Sequence, residues 1–279
     1  MTKQPNIITI LIDDLGWRDL TCYGSSFYET PNLDRLAAEG MRFTDAYASC
    51  PVCSPTRASL MSGKYPARVG VTNFIGGCGV GRMCDVPYFH CLPTSERSIA
   101  TALRDGGYQT WHVGKWHLGP RSNYPEKHGF DVNVAGCGWG MPQEGYFSPW
   151  GIETLSEGAK GDYLTERLTK EATALIRKRD QTKPFFLNLC HYTVHTPIQA
   201  PSHLVEKYRA KAKRLGLKEE EAIEEGERLP CLHHGTDRVR RRKFQSDPVY
   251  AAMVETMDDS IGGILAALDR EGLAEDTLV

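Results

Sequence analysis

A near-continuous run of apolar and β-branched residues close to the start of the chain, residues 6–12, limits the possible folds more than any other feature. Because the run lacks the alternation of a half-exposed strand, it predicts a strand buried on both faces of a mainly parallel sheet. Residues 107–113 and 183–190 predict two further strands. Helical patterns alternate with these strands over residues 30–40, 98–105, 162–179 and 248–270. The sequence therefore predicts an α/β fold with a mainly parallel or mixed central sheet and helices on both faces.

Two adjacent carboxylates, Asp13 and Asp14, follow the first predicted strand directly. Buried carboxylates are costly unless a positive group lies beside them, and ligand sites of open α/β sheets lie at this end of the strands. A hard cation held by oxygen ligands, Ca²⁺ or Mg²⁺, would fit there. The alternative is a solvated Asp-Asp turn, and the pair by itself favours neither interpretation.

The stretch from Cys53 to Gly63 is predicted to open a short helix after a strand over residues 42–48. Pro55 suits the first helical turn, so Cys53 lies at or just before the helix N-terminus, where backbone N–H groups stabilise an anion. Arg57 adds a guanidinium one turn later, and the combination suits a tetrahedral oxyanion such as sulfate or phosphate. The alternative is a thiol oxidoreductase, because Cys50 and Cys53 also form a C-x-x-C motif between a strand and a helix.

Further candidate residues follow the other two predicted strands. Lys115 and His117 come directly after the strand over 107–113, and His195 follows the strand over 183–190. Lysine supplies a point charge for an oxyanion, and histidine exchanges protons near neutral pH. A lone Lys-x-His pair more often lies on the surface without a catalytic role. His112 and His191 are predicted to be structural.

The Cys-x-Pro-x-Arg pattern at Cys53 and the sequence Gly-Lys-Trp-His-Leu-Gly at residues 114–119 resemble the two signatures of the type I sulfatases. Ser62 is a mild departure, because the family usually has Thr or Ala there. The resemblance implies an alkaline-phosphatase-like fold and the conversion of Cys53 to formylglycine, an aldehyde that is the nucleophile once hydrated. It also implies that Asp13, Asp14 and the modified Cys53 bind a divalent metal, with Ca²⁺ expected and Mg²⁺ as the alternative.

The resemblance extends to the roles of the other motif residues. Arg57 would orient the nucleophile, Lys115 and His195 would bind sulfate oxygens, His195 would protonate the leaving oxygen, and His117 would accept a proton. The implied reaction is hydrolysis of a sulfate ester, on a sulfated carbohydrate or an aryl sulfate, after maturation by a formylglycine-generating enzyme. A phosphonate or phosphate monoester hydrolase of the same superfamily is the close alternative.

The resemblance covers the 279 residues but only the N-terminal part of the family's length. We expect one incomplete catalytic domain, residues 1–279, that lacks the last strands, the remaining metal ligands and the C-terminal subdomain, so an inactive fragment is a further alternative. Within it, residues 202–247 are predicted to form a charged helical excursion. Its acidic block, 218–227, and its basic block, 238–243, could instead pair with each other.

Composition gives little support for other partners. The net charge is −2, which does not favour nucleic-acid binding, and no apolar run approaches the ~18 residues of a membrane helix. Without a recognisable signal peptide we expect a cytoplasmic protein, or a periplasmic or secreted one if a signal was removed. The nine cysteines predict free thiols rather than disulfides. Two further metal sites have little support, because their spacing matches no known zinc finger. They are a zinc site of Cys78, Cys84, Cys91 and His90, and a metal site of His233 and His234.

Overall fold

A computed structural model describes residues 4–77, 86–229 and 235–279 of the chain. The zinc hypothesis for Cys78 and Cys84 and the metal hypothesis for His233 and His234 fall outside these described residues. No helix in the described ranges is both long and apolar enough to cross a membrane.

A five-stranded parallel sheet forms the centre of the molecule, as the apolar runs predict. Its strands lie in the spatial order β3-β2-β4-β1-β7, and β5 pairs with β6 in a separate antiparallel hairpin. The central strand β4 is buried at all seven positions, which explains why its sequence does not alternate. The seven strands of the described residues are β1 Asn6–Ile12, β2 Gln109–Gly114, β3 Val132–Val134, β4 Phe185–His191, β5 Ile223–Arg228, β6 Arg238–Arg242 and β7 Thr277–Leu278.

Helices cover both faces of this sheet. On β4, His191 hydrogen-bonds Ser260 of α7 through a 2.8 Å contact, whereas its neighbour Cys190 lines a small cavity with Met61 of α2. Because adjacent strand residues point to opposite faces, α7 and α2 lie on opposite sides. The seven helices of the described residues are α1 Pro31–Glu39, α2 Cys53–Ser62, α3 Pro66–Val69, α4 Ile99–Asp105, α5 Leu164–Lys178, α6 Ser202–Arg214 and α7 Pro248–Arg270.

The prediction of a strand over residues 42–48 is wrong. This segment is irregular and every one of its residues is exposed, so its aromatic and β-branched side chains have no sheet to pack against. It nevertheless leads into α2, which begins at Cys53 and ends at Ser62, followed by Gly63 in the left-handed region with φ +68°. The helix prediction for this stretch is therefore confirmed.

The prediction of a helical excursion over 202–247 is correct only for its first part, α6. The acidic and basic blocks form the hairpin β5–β6, in which Arg241 forms an ion pair with Glu227 at 2.6 Å. Arg242 likewise contacts Glu219 at 2.5 Å. Of the two arrangements predicted, pairing of the two blocks is the one that forms, because opposite charges face each other across the strands.

Asp258 in α7 holds the start of α1 in place. Its side chain is fully buried and accepts hydrogen bonds from the backbone N–H groups of Asn32 and Leu33, at 3.0 and 2.8 Å. The side-chain amide of Asn32 donates a third, at 2.9 Å. The side chain of the N-cap residue, Thr30, makes no hydrogen bond to the free N–H groups at the start of α1. Asp258 accepts their hydrogen bonds from another helix instead.

Candidate active site

The segments that follow β1, β2 and β4 meet at the carboxyl edge of the parallel sheet. The backbone N–H of Asp13 donates to the carbonyl of Thr193 at 3.0 Å, and that of Val194 donates to the carbonyl of Asp13 at 2.8 Å. The N–H of Lys115 donates to the carbonyl of Cys190 at 2.7 Å. These bonds extend the sheet ladder by one or two residues and bring three polar segments together, as expected for this edge.

Asp13 is the buried centre of this cluster. Its carboxylate contacts the Lys115 Nζ and accepts a hydrogen bond from the Arg57 Nη2 at 3.2 Å. Burial alone would raise the pKa of Asp13, but the charges of Arg57 and Lys115 outweigh it and hold that pKa below its ordinary value. Lys115 is itself fully buried. Its partner in the structure is thus Asp13, and binding of a sulfate oxygen by Lys115 stays a prediction.

Asp14 projects its carboxylate outward from the same turn. Its backbone has φ +58°, a left-handed conformation that is uncommon for residues other than glycine. Its side chain is 54% exposed, and its Oδ2 lies 3.6 Å from the Nε2 of His195. A hydroxyl of Tyr146 fixes the His195 segment through a 2.8 Å hydrogen bond to the carbonyl of His195.

Cys53 is the first residue of α2, so its thiol lies at the positive end of that helix. Burial would raise the pKa of the thiol, but the neighbouring side chains of His117 and His195 and the charge of Lys115 lower it to about 6. Arg57, one turn further along, donates through Nη1 to the backbone carbonyl of Lys115 at 2.8 Å. The helix that carries Cys53 is thereby attached to the end of β2.

His117 faces the thiol from the other side. It also has a left-handed backbone, φ +54°, and its Nε2 lies 3.0 Å from the carbonyl of Ile75, so this nitrogen carries the proton. The buried Nδ1 has no hydrogen-bond partner within the described ranges. Gly140 packs directly on the ring, because a Cβ there would lie 2.6 Å from the His117 Cε1.

The donor set fits a divalent cation. Asp13, Asp14, Cys53 and His195 each present one ligand atom, and these atoms all lie within 4.8 Å of one another. The two carboxylates are the oxygen ligands that Ca²⁺ and Mg²⁺ prefer, whereas a thiol is a soft ligand. Asp13 and Asp14 would therefore hold the cation, and position 53 would join them once it carries an oxygen.

An open cleft of about 630 Å³ leads from the surface to this cluster. Phe74, Ile75 and Gly76, in the segment between α3 and α4, line it. Gly140, Met141 and Gln143 also line the cleft. Sequence reasoning missed them individually, since nothing in their sequence distinguishes them from the rest of this irregular segment. The aromatic residues Tyr146 and Trp150, further along that segment, are buried in the core.

The structural assignments of the other histidines are confirmed. His112 is buried and contacts the side chain of Asn188 at 3.0 Å, and burial lowers its pKa to about 3. His191 is buried against Ser260, on the opposite face of the sheet from α2. Cys50 is a free cysteine outside the cluster of ligand atoms around Cys53.

Comparison with known proteins agrees with this geometry. The family model described as Sulfatase matches residues 5–279. The chain belongs to the sulfatase family. It is 32% identical to the N-acetylgalactosamine-6-sulfatase of Homo sapiens over 297 residues, which cover 99% of this chain and 49% of that protein. This sulfatase chain spans about half the length of the curated relatives it matches.

Solved structures support the alkaline-phosphatase-like fold. The crystal structure of Ps i-CgsB in complex with k-i-k-neocarrahexaose matches with a TM-score of 0.71 and 28% identity, over 99% of this chain and 57% of that one. The phosphonate monoester hydrolase of Agrobacterium radiobacter matches with a TM-score of 0.59 and 20% identity, over 99% of this chain and 61% of that one. At that identity the second likeness concerns the fold alone.

Proposed function

We propose that the whole protein hydrolyses sulfate monoesters at the cleft beside Cys53. The observation that supports this most is the meeting of Asp13, Asp14, Cys53 and His195 within 4.8 Å at the carboxyl edge of the sheet. A sulfate group brought there meets a helix N-terminus and two histidines that can exchange protons. Membership of the sulfatase family supports the same reaction class.

We further propose that Cys53 is converted to formylglycine and that Asp13 and Asp14 hold a divalent cation, Ca²⁺ or Mg²⁺. The hydrated formylglycine would supply the nucleophile, and the cation would supply charge stabilisation at the reacting oxygens. Conversion by a formylglycine-generating enzyme would precede activity.

The remaining roles fall to residues that are already in place. Arg57 and Lys115 hold the carboxylate of Asp13 in a fixed orientation, because both contact it in the buried interior. His195, which reaches both Asp14 and the thiol, would give a proton to the leaving oxygen. The unprotonated Nδ1 of His117 would accept a proton from the group at position 53.

The substrate that we propose is a sulfated carbohydrate, with an aryl sulfate as the assay substrate. The cleft of about 630 Å³ is large enough for a sugar unit and is lined partly by apolar side chains such as Phe74 and Met141. The likeness to Ps i-CgsB, whose structure contains k-i-k-neocarrahexaose, is consistent with a carbohydrate leaving group.

Mass spectrometry of the peptide that contains Cys53 tests the modification in active protein. We expect the mass of formylglycine, and an unmodified thiol in fully active protein would overturn the scheme. Cys53→Ala should abolish hydrolysis of an aryl sulfate, whereas Cys50→Ser, the matched control, should keep it. Loss of activity in Cys50→Ser with retention in Cys53→Ala would instead indicate other thiol chemistry.

Rates on an aryl sulfate and on the matching aryl phosphonate separate the two ester classes. We expect the sulfate to be hydrolysed with the higher kcat/KM. A higher kcat/KM for the phosphonate would assign the protein to the alternative function. Removal of divalent metal by a chelator should reduce the rate, and Ca²⁺ or Mg²⁺ should restore it.

A further inference from the structure

The turn that follows Asp14 is closed by the side chain of Asp19. The backbone N–H of Gly16 donates to the Asp19 Oδ2 at 3.1 Å, and the N–H of Asp19 donates back to the carbonyl of Gly16 at 2.9 Å. The carboxylate sits so close to the turn that a Cβ at position 16 would lie 2.7 Å from it. The turn and the carboxylate therefore form one unit.

This carboxylate is held from outside by two side chains from the other end of the chain. The hydroxyl of Tyr250, in the first turn of α7, donates to the Asp19 Oδ2 at 2.7 Å. The Nε2 of Gln245 contacts the Asp19 Oδ1 at 2.9 Å and the backbone carbonyl of Arg18 at 3.0 Å. Hydrogen bonds to a charged acceptor are the stronger kind.

Both side chains are themselves fixed. The Oε1 of Gln245 accepts a hydrogen bond from the Ser25 Oγ at 2.7 Å, which sets the orientation of its amide. The ring of Tyr250 packs on that of Tyr28, with 5.5 Å between the ring centroids. Gln245, which precedes α7, and Tyr250, in its first turn, thus support the turn at residues 16–19.

Asp14 lies between this support and a second anchor. On its N-terminal side, Asp13 is fixed to Thr193 and Val194 by backbone hydrogen bonds. On its C-terminal side the next anchored group is Gly16. A left-handed backbone at a residue other than glycine costs about 1–3 kcal/mol and persists only where the surroundings impose it. The two fixed ends, Asp13 and Gly16, have only two residues between them and can impose this conformation on Asp14.

We propose that Asp19 is a positioning residue for the cation site, and that Tyr250 and Gln245 act through it to hold the carboxylate of Asp14 in place. This inference rests on the proposed function in one respect, that Asp14 binds a divalent cation. It also gives the end of the charged segment 202–247 and the start of α7 a role in the site.

Tyr250→Phe removes one hydroxyl from the support and keeps the ring that packs on Tyr28. Tyr108→Phe is the matched control, because the Tyr108 hydroxyl also donates one hydrogen bond, to the carbonyl of Pro5 at 2.9 Å, near the amino-terminal end of β1. Asp19→Ala is the stronger variant. Hydrogen–deuterium exchange of a peptide that covers residues 13–20 reports on the turn, and calorimetric titration with Ca²⁺ reports on the site.

We expect Tyr250→Phe to raise exchange in residues 13–20 and to weaken Ca²⁺ binding about fivefold, as loss of one hydrogen bond would. Asp19→Ala should do both to a greater extent, and Tyr108→Phe should change neither. A merely structural role would lower the unfolding temperature without altering exchange in this peptide or the Ca²⁺ affinity.

Wild-type exchange and Ca²⁺ affinity in both Tyr250→Phe and Asp19→Ala would overturn the inference. A wild-type protein that binds no Ca²⁺ or Mg²⁺ would instead overturn the cation assignment in the proposed function. The exchange data would then decide separately whether Asp19 fixes Asp14, and unchanged exchange in Asp19→Ala would reject that as well.

Discussion

Replacement of Asp258 by alanine tests whether a carboxylate on α7 holds the start of α1. The substitution leaves three donors without their acceptor, namely the N–H groups of Asn32 and Leu33 and the side-chain amide of Asn32. Hydrogen bonds to charged groups contribute about 1.5–3 kcal/mol each, so the gross loss is about 4–9 kcal/mol. Burial raises the pKa of Asp258, because the charged form is poorly solvated, and removal of this buried charge recovers several kcal/mol.

The net loss that we expect is about 2–4 kcal/mol of unfolding free energy, since the recovered desolvation offsets part of the gross term. For a chain of this size that corresponds to a fall in Tm of about 5–15 °C. Urea unfolding followed by circular dichroism measures the free energy, and a thermal scan measures Tm. A small effect would be surprising because both oxygens of the carboxylate accept hydrogen bonds.

Asp259→Ala is the matched control, since Asp259 is the next residue of the same helix and is exposed. Its substitution removes the same charge and should change the unfolding free energy by no more than about 0.5 kcal/mol. Equal stabilities of the two variants would refute the argument that Asp258 caps α1. Asp258→Ala should also increase hydrogen exchange at the first turn of α1, and unchanged exchange there would count against it.

Three further perturbations test other parts of the structure. Gly140→Ala should push the ring of His117 away from the thiol and lower kcat on an aryl sulfate about 10- to 100-fold, whereas a wild-type kcat would show that the ring tolerates the methyl group. Burial lowers the pKa of His128 to about 4, so the fold favours its neutral form and loses stability as pH falls from about 6.5 to 4. His128→Leu should therefore lose less stability than the wild type over that range in urea unfolding, by about 3 kcal/mol at most, and parallel pH profiles would contradict this. Arg241→Ala removes an exposed ion pair with Glu227 and should leave both the unfolding free energy and kcat almost unchanged, so a clear loss of stability would mean that the hairpin supports the core.

The strands and long helices could be predicted because their patterns are governed by burial. The run at residues 6–12 and the run at 183–190 are apolar on both faces, and both became central strands of the sheet. The helix at 248–270 was predicted with the boundaries that it has, because Asp247 and Pro248 mark its start.

The errors occurred where partners distant in the sequence decide the outcome. Residues 42–48 have a strand-like composition, but strand formation needs a neighbouring strand, and none pairs with them in the described residues. The hairpin β5–β6 has charged rather than apolar residues, so it shows no alternation that would predict it. β3 is only three residues long, too short for a period to appear.

The candidate site could be located from the sequence, but its internal contacts could not. Asp13, Lys115 and His195 follow strands whose ends share one edge of the sheet, so the sequence places them together. The resemblance of the Cys53 stretch to the sulfatase signature added Cys53 to them. Lys115 is fully buried against Asp13. This contact depends on side-chain packing, which a sequence motif does not specify. The same applies to Asp258, whose buried acceptor role depends on where α1 begins.

The cation that we propose for Asp14 adds a second, unrelated requirement to its position, which already needs a left-handed backbone. Glycine would adopt φ +58° most easily but has no side chain to bind a cation. Glutamate offers a carboxylate but adopts this conformation far less readily than aspartate or asparagine, which visit it most among the other residues. Very few substitutions at this position could satisfy backbone and ligand together, so random mutagenesis with selection for activity should recover almost only aspartate there.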